Sequence, residues 1–224
     1  MKCPYCVVST ARRRAKKTEL GYATFFCPGC QRSFNERTGT PFNYLEVPTD
    51  IVLLVVLWRL RYKLSLRDLA EVFLERGFVF THEAVRDWEK RFAPLIVDQL
   101  RTKRRGQAGW SWYVDETYIK VHGKWCYLYR AIDEEGNLVD SWLSEKRDMD
   151  AAKQFFKQAV AVVGHTPEQV TTDGHRSYPM PGFGNVVSAA RFCRAFDEVR
   201  QFFRVRTSVK QKVSLAQQRE AFHQ

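Results

Sequence analysis

Trp-Tyr-Val-Asp-Glu-Thr at residues 112–117 is the first of two stretches on which the fold prediction rests. The second is Val-Thr-Thr-Asp-Gly at residues 170–174. Each is a β-prone run that leads into an aspartate, Asp115 in the first and Asp173 in the second. Open α/β sheets place their ligand sites at the carboxyl ends of strands, so we expect each aspartate to lie at such an end. Two carboxylates that meet there would bind a hard divalent cation.

The residues between the two aspartates have the pattern of one antiparallel sheet. Residues 112–121, 124–132 and 138–143 are rich in aromatic and β-branched side chains. His122-Gly123 and residues 133–137 separate these runs and have the length and composition of hairpin turns. The sequence therefore predicts a three-stranded meander.

A helix and a returning strand follow the predicted meander. The helix is indicated by apolar residues that recur on one face, namely Ala152, Phe155, Phe156, Ala159, Val160 and Val163. Asp148 or Asp150 can cap its start, and Val170–Thr172 follows Pro167 as a strand. A meander, a crossover helix and a strand that carries a second aspartate predict an α/β fold with an incomplete, ribonuclease H-like mixed sheet.

Positive charge is concentrated in the N-terminal half. The chain has 224 residues, 45% of them apolar, and a net charge of +11, which suits a globular protein with one medium domain and small appendages. Residues 1–106 carry 20 Lys and Arg against 11 Asp and Glu, whereas residues 107–224 carry 16 against 14. This asymmetry favours double-stranded DNA as a partner of the N-terminal half, and a basic surface kept for solubility is the alternative.

Apolar runs in this sequence are too short for a membrane span. The longest, Ile51–Trp58, is well below the roughly 20 residues needed to cross a bilayer. Cys3, Cys6 and the basic residues that follow do not resemble a signal peptide. We expect a cytoplasmic, nucleoid-associated protein with no membrane partner.

Four cysteines form two CxxC pairs near the N-terminus: Cys3, Cys6, Cys27 and Cys30. Two such pairs can hold one tetrahedral zinc ion through four thiolates, and this site would be structural because no coordination position stays open. A pair of disulfides or four unrelated buried thiols are the alternatives. Cys126 and Cys193 are expected to pack as small hydrophobic residues.

Three helices are predicted between the cysteines and the sheet. They start at Thr49, Ser65 and Thr81, and a glycine-containing turn separates the second from the third. The third has a polar, basic outer face, which indicates a helix-turn-helix, whereas an ordinary three-helix bundle with a solvated face is the alternative. The predicted DNA contacts are His82, Arg86, Lys90, Arg91, Lys103, Arg104 and Arg105.

Residues 112–121, with Gly-Lys-Trp at 123–125 and Tyr-Leu-Tyr-Arg-Ala-Ile-Asp at 127–133, resemble the catalytic core of DDE transposases of the insertion-sequence-six family. The resemblance continues in Leu-Ser-Leu-Arg-Asp-Leu at 64–69 and Thr-Asp-Gly-His-Arg-Ser-Tyr-Pro at 172–179. It covers most of the chain.

This resemblance implies a ribonuclease H-like domain in which two Asp and one Glu bind two Mg²⁺ or Mn²⁺ ions during strand cleavage and strand transfer. Motif by motif, Asp115 would be the first catalytic acid and Asp173 the second. Glu116 alternates to the opposite face of its strand and is not expected to share the metal. Some family members carry an N-terminal zinc ribbon, and the family acts on element ends, with a homo-oligomer on DNA left open.

The chain departs from the family after Pro179. There the family continues with a strand and a helix that carries an Asn-Asn-x-x-Glu-type motif, whose Glu is the third metal ligand. Here Met-Pro-Gly-Phe-Gly at 180–184 follows at once. We therefore expect an internal deletion that removed the third acid. Glu198 is expected to be an exposed helix residue, and a role as substitute ligand is the less favoured alternative.

Four regions are thus predicted: a zinc ribbon at 1–40, a helix-turn-helix region with a basic linker at 49–106, a truncated ribonuclease H-like core at 107–179, and a C-terminal helix and tail at 180–224. The function that the resemblance implies is DNA transposition of an insertion sequence, with a catalytic site that is inactive in this copy. The alternative is a non-catalytic DNA-binding protein, either a transposase remnant or a regulator.

Overall fold

The computed structural model describes residues 1–7, 11–172 and 180–204, which form two compact units. The first unit contains Met1–Arg59 and Leu64–Phe92. The second contains Leu60–Lys63 and the described residues from Ala93 onward. Asp173 falls outside the described residues.

A small antiparallel sheet in the first unit surrounds the four cysteines. Its strands are β1 (Arg12–Lys17), β2 (Ala23–Cys27) and β3 (Arg32–Asn35), in that spatial order. Cys3, Cys27 and Phe34 form its buried core, with Phe25 stacked on Phe34 at a ring distance of 5.5 Å. A core of this size supplies little hydrophobic free energy, so the cysteine cluster is the main candidate for holding the sheet together.

The three predicted helices are present: α1 (Thr49–Tyr62), α2 (Leu66–Leu74) and α3 (His82–Arg104). Ser65 and Asp68 cap α2 reciprocally, with distances of 3.1 Å from the Asp68 amide to the Ser65 hydroxyl and 3.0 Å from the Ser65 amide to the Asp68 carboxylate. Gly77 then turns the chain with a φ of 82°, a left-handed conformation that favours glycine. These features confirm the predicted helices, capping box and glycine turn, whereas the helix-turn-helix stays a prediction.

Aromatic and aliphatic side chains pack α2 against the start of α3. Phe73 of α2 contacts Phe80 at a ring distance of 5.8 Å, and Phe80 contacts Trp88 of α3 at 4.8 Å. Residues 101–104, predicted as part of a basic linker, form the last turn of α3 in the structure. No helix-ending glycine occurs before Gly106, which has a φ of 75°.

Three antiparallel strands in the second unit confirm the predicted meander: β4 (Ser111–Val121), β5 (Lys124–Asp133) and β6 (Leu138–Ser144). His122 and Gly123 join β4 to β5 with positive φ at both positions, as a two-residue hairpin turn requires. The carboxylate of Asp133 organises the next turn by accepting hydrogen bonds from the backbone amides of Glu135 and Asn137.

Helix α4 (Met149–Val163) covers one face of this sheet. Asp148 caps its start and Gly164 ends it in a left-handed conformation. Phe155, fully buried, stacks on Tyr129 of β5 at 5.7 Å. The chain returns as β7 (Gln169–Thr172), parallel to β4, so the spatial order is β6-β5-β4-β7. The mixed α/β architecture is thereby confirmed, and it is consistent with a ribonuclease H-like DDE domain.

Residues 180–183, predicted as the start of the C-terminal helix and tail, instead form the short strand β8 (Met180–Phe183). This strand pairs in parallel with β4 near Ile119 and Val121. The difference follows from the length of β4, because β7 covers only its first residues and the later edge is available for pairing. Helix α5 (Val186–Phe202) then begins at the N-cap residue Asn185, as predicted for this part of the chain.

Candidate functional site

Asp115 lies in the interior of β4, and the prediction that it ends a strand is wrong. The ladder between β4 and β5 continues for six residues beyond it, as far as Val121, because the two strands form one long hairpin. Asp115 is directly opposite Arg130 in this ladder, so both side chains point to the sheet face that α4 does not cover. Asp115 itself is exposed.

A cavity of about 710 Å³ opens beside Asp115. Its charged lining consists of Asp115 and Asp197 together with Arg61, Arg130, Arg200 and Arg204. Four cations therefore surround two carboxylates. A metal site usually has the reverse balance, so these surroundings suit an anion such as a phosphate group better than a second metal ion.

Asp197 of α5 is buried and paired with Arg130 across this cavity. Both guanidinium-to-carboxylate distances are 3.2 Å, which describes a two-pronged contact. Burial raises the pKa of the Asp197 carboxyl, and the charge of Arg130 opposes that rise. Sequence reasoning did not single out Arg130 or Asp197. Only the alternation of side chains along β5 could have placed Arg130 on the same face as Asp115.

The described part of β7 ends immediately before Asp173. In the parallel ladder Val114 of β4 pairs with Thr172 of β7, and these residues directly precede Asp115 and Asp173 in the sequence. The predicted metal role of Asp173 thus falls on a residue outside the described ones. Glu116 lies on the opposite face, as expected, where it pairs with Arg147 at 2.8 Å.

Glu198 is buried, with 2% of its surface exposed, so the expectation of an exposed helix residue is wrong. Its carboxylate accepts hydrogen bonds from Arg101 at 3.0 Å and from Arg104 at 2.7 Å. Arg101 also pairs with Asp140, which is fully buried and accepts a second hydrogen bond from Gln158 at 2.6 Å. Two arginines of α3 therefore hold the acid in the interior.

Arg104 must be removed from the predicted set of DNA contacts. Its side chain is buried, and it donates hydrogen bonds of 2.6 Å to the backbone carbonyls of Leu138 and Val139 in addition to its ion pair with Glu198. A guanidinium engaged in this way is not available to a phosphate. Lys103 and Arg105 on either side of it are exposed.

The other predicted DNA contacts lie along the N-terminal part of α3. Arg86, Lys90 and Arg91 are exposed, and His82 is partly exposed. Glu83 pairs with both His82 and Arg86 at the start of the helix. These surroundings keep the cations in solvent, where DNA could reach them.

The sulfur atoms of Cys3, Cys6, Cys27 and Cys30 all lie within 4.8 Å of one another. Two of the separations, Cys3 to Cys30 and Cys6 to Cys27, are 3.6 Å and 3.5 Å. Four thiolates about 2.3 Å from one zinc ion would be roughly 3.8 Å apart, so this donor set fits tetrahedral zinc. Among the described residues, these four cysteines form the group of metal-ligating side chains whose ligand atoms lie close enough together to hold one ion.

Hydrogen bonding favours a thiolate at one of these cysteines. Burial raises the pKa of the Cys3 thiol, but hydrogen bonds from the backbone of Tyr5 and Cys6 outweigh that effect and lower the pKa from 9.0 to about 7. Burial raises the pKa of Cys30. Cys126 and Cys193 are buried elsewhere, which agrees with the prediction that they pack as small hydrophobic residues.

Comparison with known proteins identifies the segment that contains Asp115. Residues 109–182, from just before β4 to β8, match a family model described as a DDE domain. Over these residues the chain is similar to DDE transposases of the insertion-sequence-six type. The family resemblance is therefore confirmed, whereas the zinc ribbon and the internal deletion stay predictions.

Two staphylococcal transposases are similar to this chain over 132 residues. The transposase for insertion sequence-like element IS431mec of Staphylococcus aureus is 42% identical, and the transposase for insertion sequence element IS257 in transposon Tn4003 of the same species is 41% identical. The matched segment makes up 59% of this chain and 58% of each relative, so the chain spans less than two thirds of their length. The uncharacterized protein pYV0051 of Yersinia pseudotuberculosis is 44% identical over 70 residues, which are 30% of this chain and 65% of that protein.

No helix among the described residues is both long enough and apolar enough to cross a membrane.

Zinc binding is the first testable consequence of this geometry. We expect freshly purified, reduced protein to contain one zinc ion per chain, and a strong chelator to unfold residues 1–35 while the second unit stays folded. Cys27→Ala should lose the metal, whereas the matched variant Cys126→Ala should retain it. Metal analysis and hydrogen exchange measure the two effects, and protein without zinc would contradict the assignment.

Replacement of Glu198 tests its structural role. Glu198→Gln should lower the free energy of unfolding by roughly 3 kcal/mol, because the buried Arg104 and the partly buried Arg101 would then share one carboxylate fewer. Glu145→Gln, at an exposed position, is the matched control and should change it by less than about 0.5 kcal/mol. Urea unfolding is the measurement, and equal effects of the two variants would show that Glu198 is not held as described.

Proposed function

We propose that this chain is a transposase-family protein that binds the ends of an insertion sequence but does not complete strand transfer. The observation that carries the proposal is the burial of Glu198 between Arg101 and Arg104. It leaves Asp115 facing an arginine-rich cavity, with Asp173 as the family's second acid by motif.

Asp115 has the chemistry of a metal ligand. Its exposed carboxylate lies at the edge of a cavity large enough for a nucleic-acid phosphate. Strands β4 and β7 are paired up to the residues just before Asp115 and Asp173, which supports a shared site for the two acids. Mg²⁺ bound there would activate a nucleophile and stabilise a leaving oxygen. We propose that Asp115 and Asp173 hold one such ion weakly.

A third carboxylate is the element that the chain does not supply among its described residues. Two-metal phosphoryl transfer needs ligands that hold the two ions about 4 Å apart. Three carboxylates can fix both ions, whereas two carboxylates cannot. Glu198 and Asp197 are both buried in ion pairs with arginines. Freeing Glu198 would leave the buried Arg104 without its carboxylate, and freeing Asp197 would leave the partly buried Arg130 without its own. Such a loss costs several kcal/mol, so neither acid is a ready replacement.

DNA binding is supported by charge and exposure in residues 1–106. This segment has an excess of nine positive charges, and the cations Arg86, Lys90 and Arg91 of α3 are exposed. Phosphate contacts of this type provide most of the affinity of a protein for duplex DNA. The contacts that would select element ends are proposed to come from α3, with Arg86 nearest the groove.

A regulator or remnant without catalysis is the second candidate function. The four arginines around the cavity favour it, because they would bind a phosphate without cleaving it. The two candidates agree on DNA binding and differ only in the chemistry at Asp115.

Metal binding at Asp115 separates these two candidates, and end nicking and strand transfer test the lack of catalysis that both imply. We expect full-length protein to bind DNA that carries the inverted repeats flanking its reading frame, and to give no nicked or joined product in Mg²⁺ or Mn²⁺. Asp115→Ala should weaken metal binding and leave DNA binding unchanged, because Asp115 would hold only the ion. Activity that both Asp115→Ala and Glu198→Gln abolish, in variants that remain folded, would contradict the proposal and make Glu198 the third ligand.

Recognition of element ends by α3 has its own test. Arg86→Ala should reduce the preference for element ends over random duplex by about tenfold, since one good base contact contributes roughly 1–3 kcal/mol of discrimination. Arg67→Ala, another exposed arginine of the same unit, is the control and should leave the preference unchanged. Competition binding with the two DNAs measures the ratio, and an equal effect of both variants would rule out a special role of Arg86.

A further inference from the structure

Strand β1 carries a dense row of cations that neither the proposed catalytic site nor α3 uses. All six of its residues are exposed, and five of the six are basic. These five cations are Arg12, Arg13, Arg14, Lys16 and Lys17. Among the described residues, none of the five forms an ion pair with a carboxylate.

Most of the charge excess of the N-terminal half belongs to this small sheet. Residues 1–40 contain eight Lys and Arg against two Glu, whereas residues 41–106 contain twelve against nine Asp and Glu. Zinc with four thiolates would carry a charge of −2 and would reduce, but not cancel, this excess. The cysteine-containing sheet is therefore more basic than the helical segment that follows it.

Register shows how these cations are arranged. Arg12 pairs with Phe26 of β2, and Phe26 pairs with Ser33 of β3, so these side chains share one face of the sheet. Arg14 lies on the same face and donates a hydrogen bond of 3.2 Å to the hydroxyl of Ser33. The opposite face holds Phe34 and the buried cysteines. Arg12 and Arg14 therefore point away from the core of the sheet.

Spacing along the strand suits a polyanion. Strand residues two apart are separated by about 6.7 Å and point to the same side, so Arg12 and Arg14 present neighbouring charges on one face. The register with β2 shifts between Arg13 and Lys17, which interrupts the regular alternation before Lys17. Strand β1 is also an edge of its sheet, in the order β1-β2-β3, and nothing in the described part of the chain covers it. A basic edge strand with a hydroxyl and a half-buried aromatic ring beside it resembles the backbone-contacting surfaces of nucleic-acid-binding proteins.

We propose that β1 binds the phosphate backbone of duplex DNA, independently of sequence, through Arg12 and Arg14 with Lys16 and Lys17 alongside. This assignment rests on the proposed binding of DNA by the chain and adds a second contact surface to it. Helix α3 would select the element end, whereas β1 would supply affinity and its dependence on salt.

Salt-dependent binding of full-length, zinc-loaded protein tests the assignment. The probe is a 30-base-pair random duplex, and fluorescence anisotropy is recorded from about 50 to 300 mM salt. Each lost phosphate contact should reduce the slope of log K against log salt by about 0.9, so Arg12→Gln with Arg14→Gln should reduce it by nearly two. Affinity near 100 mM salt should fall roughly 10- to 60-fold.

Three comparisons complete the experiment. Arg12→Lys with Arg14→Lys keeps both charges and should retain the slope. Lys153→Gln with Lys157→Gln removes two exposed cations of α4 and should change affinity less than twofold. Zinc content of all variants should equal that of the wild type, which shows that the small sheet is intact.

An unchanged slope in Arg12→Gln with Arg14→Gln, with normal binding by the wild type, would overturn the role of β1 and leave the proposed function standing. Absence of DNA binding by the wild type would overturn both. Vesicles of anionic lipid form a separate arm: if the double variant loses vesicle binding and keeps DNA binding, β1 faces a membrane surface and the assignment is wrong.

Discussion

A cluster of two arginines and two carboxylates, in which all but Arg101 are buried, fixes the arrangement of the second unit. Arg101 and Arg104 come from the last turns of α3, Asp140 from β6 and Glu198 from α5. A buried ion pair adds little net stability compared with apolar residues of the same volume, but removal of one member leaves an uncompensated charge in the interior. These four residues therefore fix the position of α5, because Glu198 has to meet both guanidinium groups.

That constraint also determines the chemistry of the cavity. With Glu198 held inside, the residue before it in α5, Asp197, lies at the cavity that Asp115 also lines, where it pairs with Arg130. Arg61, Arg200 and Arg204 add further positive charge. A DDE enzyme concentrates negative charge to hold two metal ions, whereas this site concentrates positive charge around a single exposed carboxylate. Under the proposed function, this surface holds a phosphate group without cleaving it.

The first unit divides its charge between two surfaces with different properties. Cations of α3 lie on a helix, where side chains can enter a groove, while those of β1 lie on the exposed edge of a sheet. Helices suit contacts with base edges, and neighbouring cations on a strand suit contacts with a phosphate backbone. The apolar core of this small sheet is limited to Phe34 and the residues around the cysteine cluster.

Local pattern was enough to predict most of the secondary structure. Period-two runs predicted β4, β5 and β6, helical periodicity and a capping aspartate predicted α4, and the Ser65–Asp68 capping box marked the start of α2. The spacing of four cysteines predicted their cluster, and the motif around Asp115 predicted the match to a DDE domain. Each of these features depends on a few neighbouring residues or on a fixed spacing, so it can be recognised without the structure.

Which charged residues remain able to bind a metal ion or DNA depends on tertiary contacts. Glu198 and Arg104 have the sequence surroundings of exposed helix residues, yet both are buried because their partners lie 94 residues apart along the chain. Asp115 lies inside a strand because β5 extends the ladder beyond it, and β8 forms because β4 has an edge left to pair. Burial and pairing depend on contacts between segments that are far apart in the sequence, so a local sequence pattern cannot predict them.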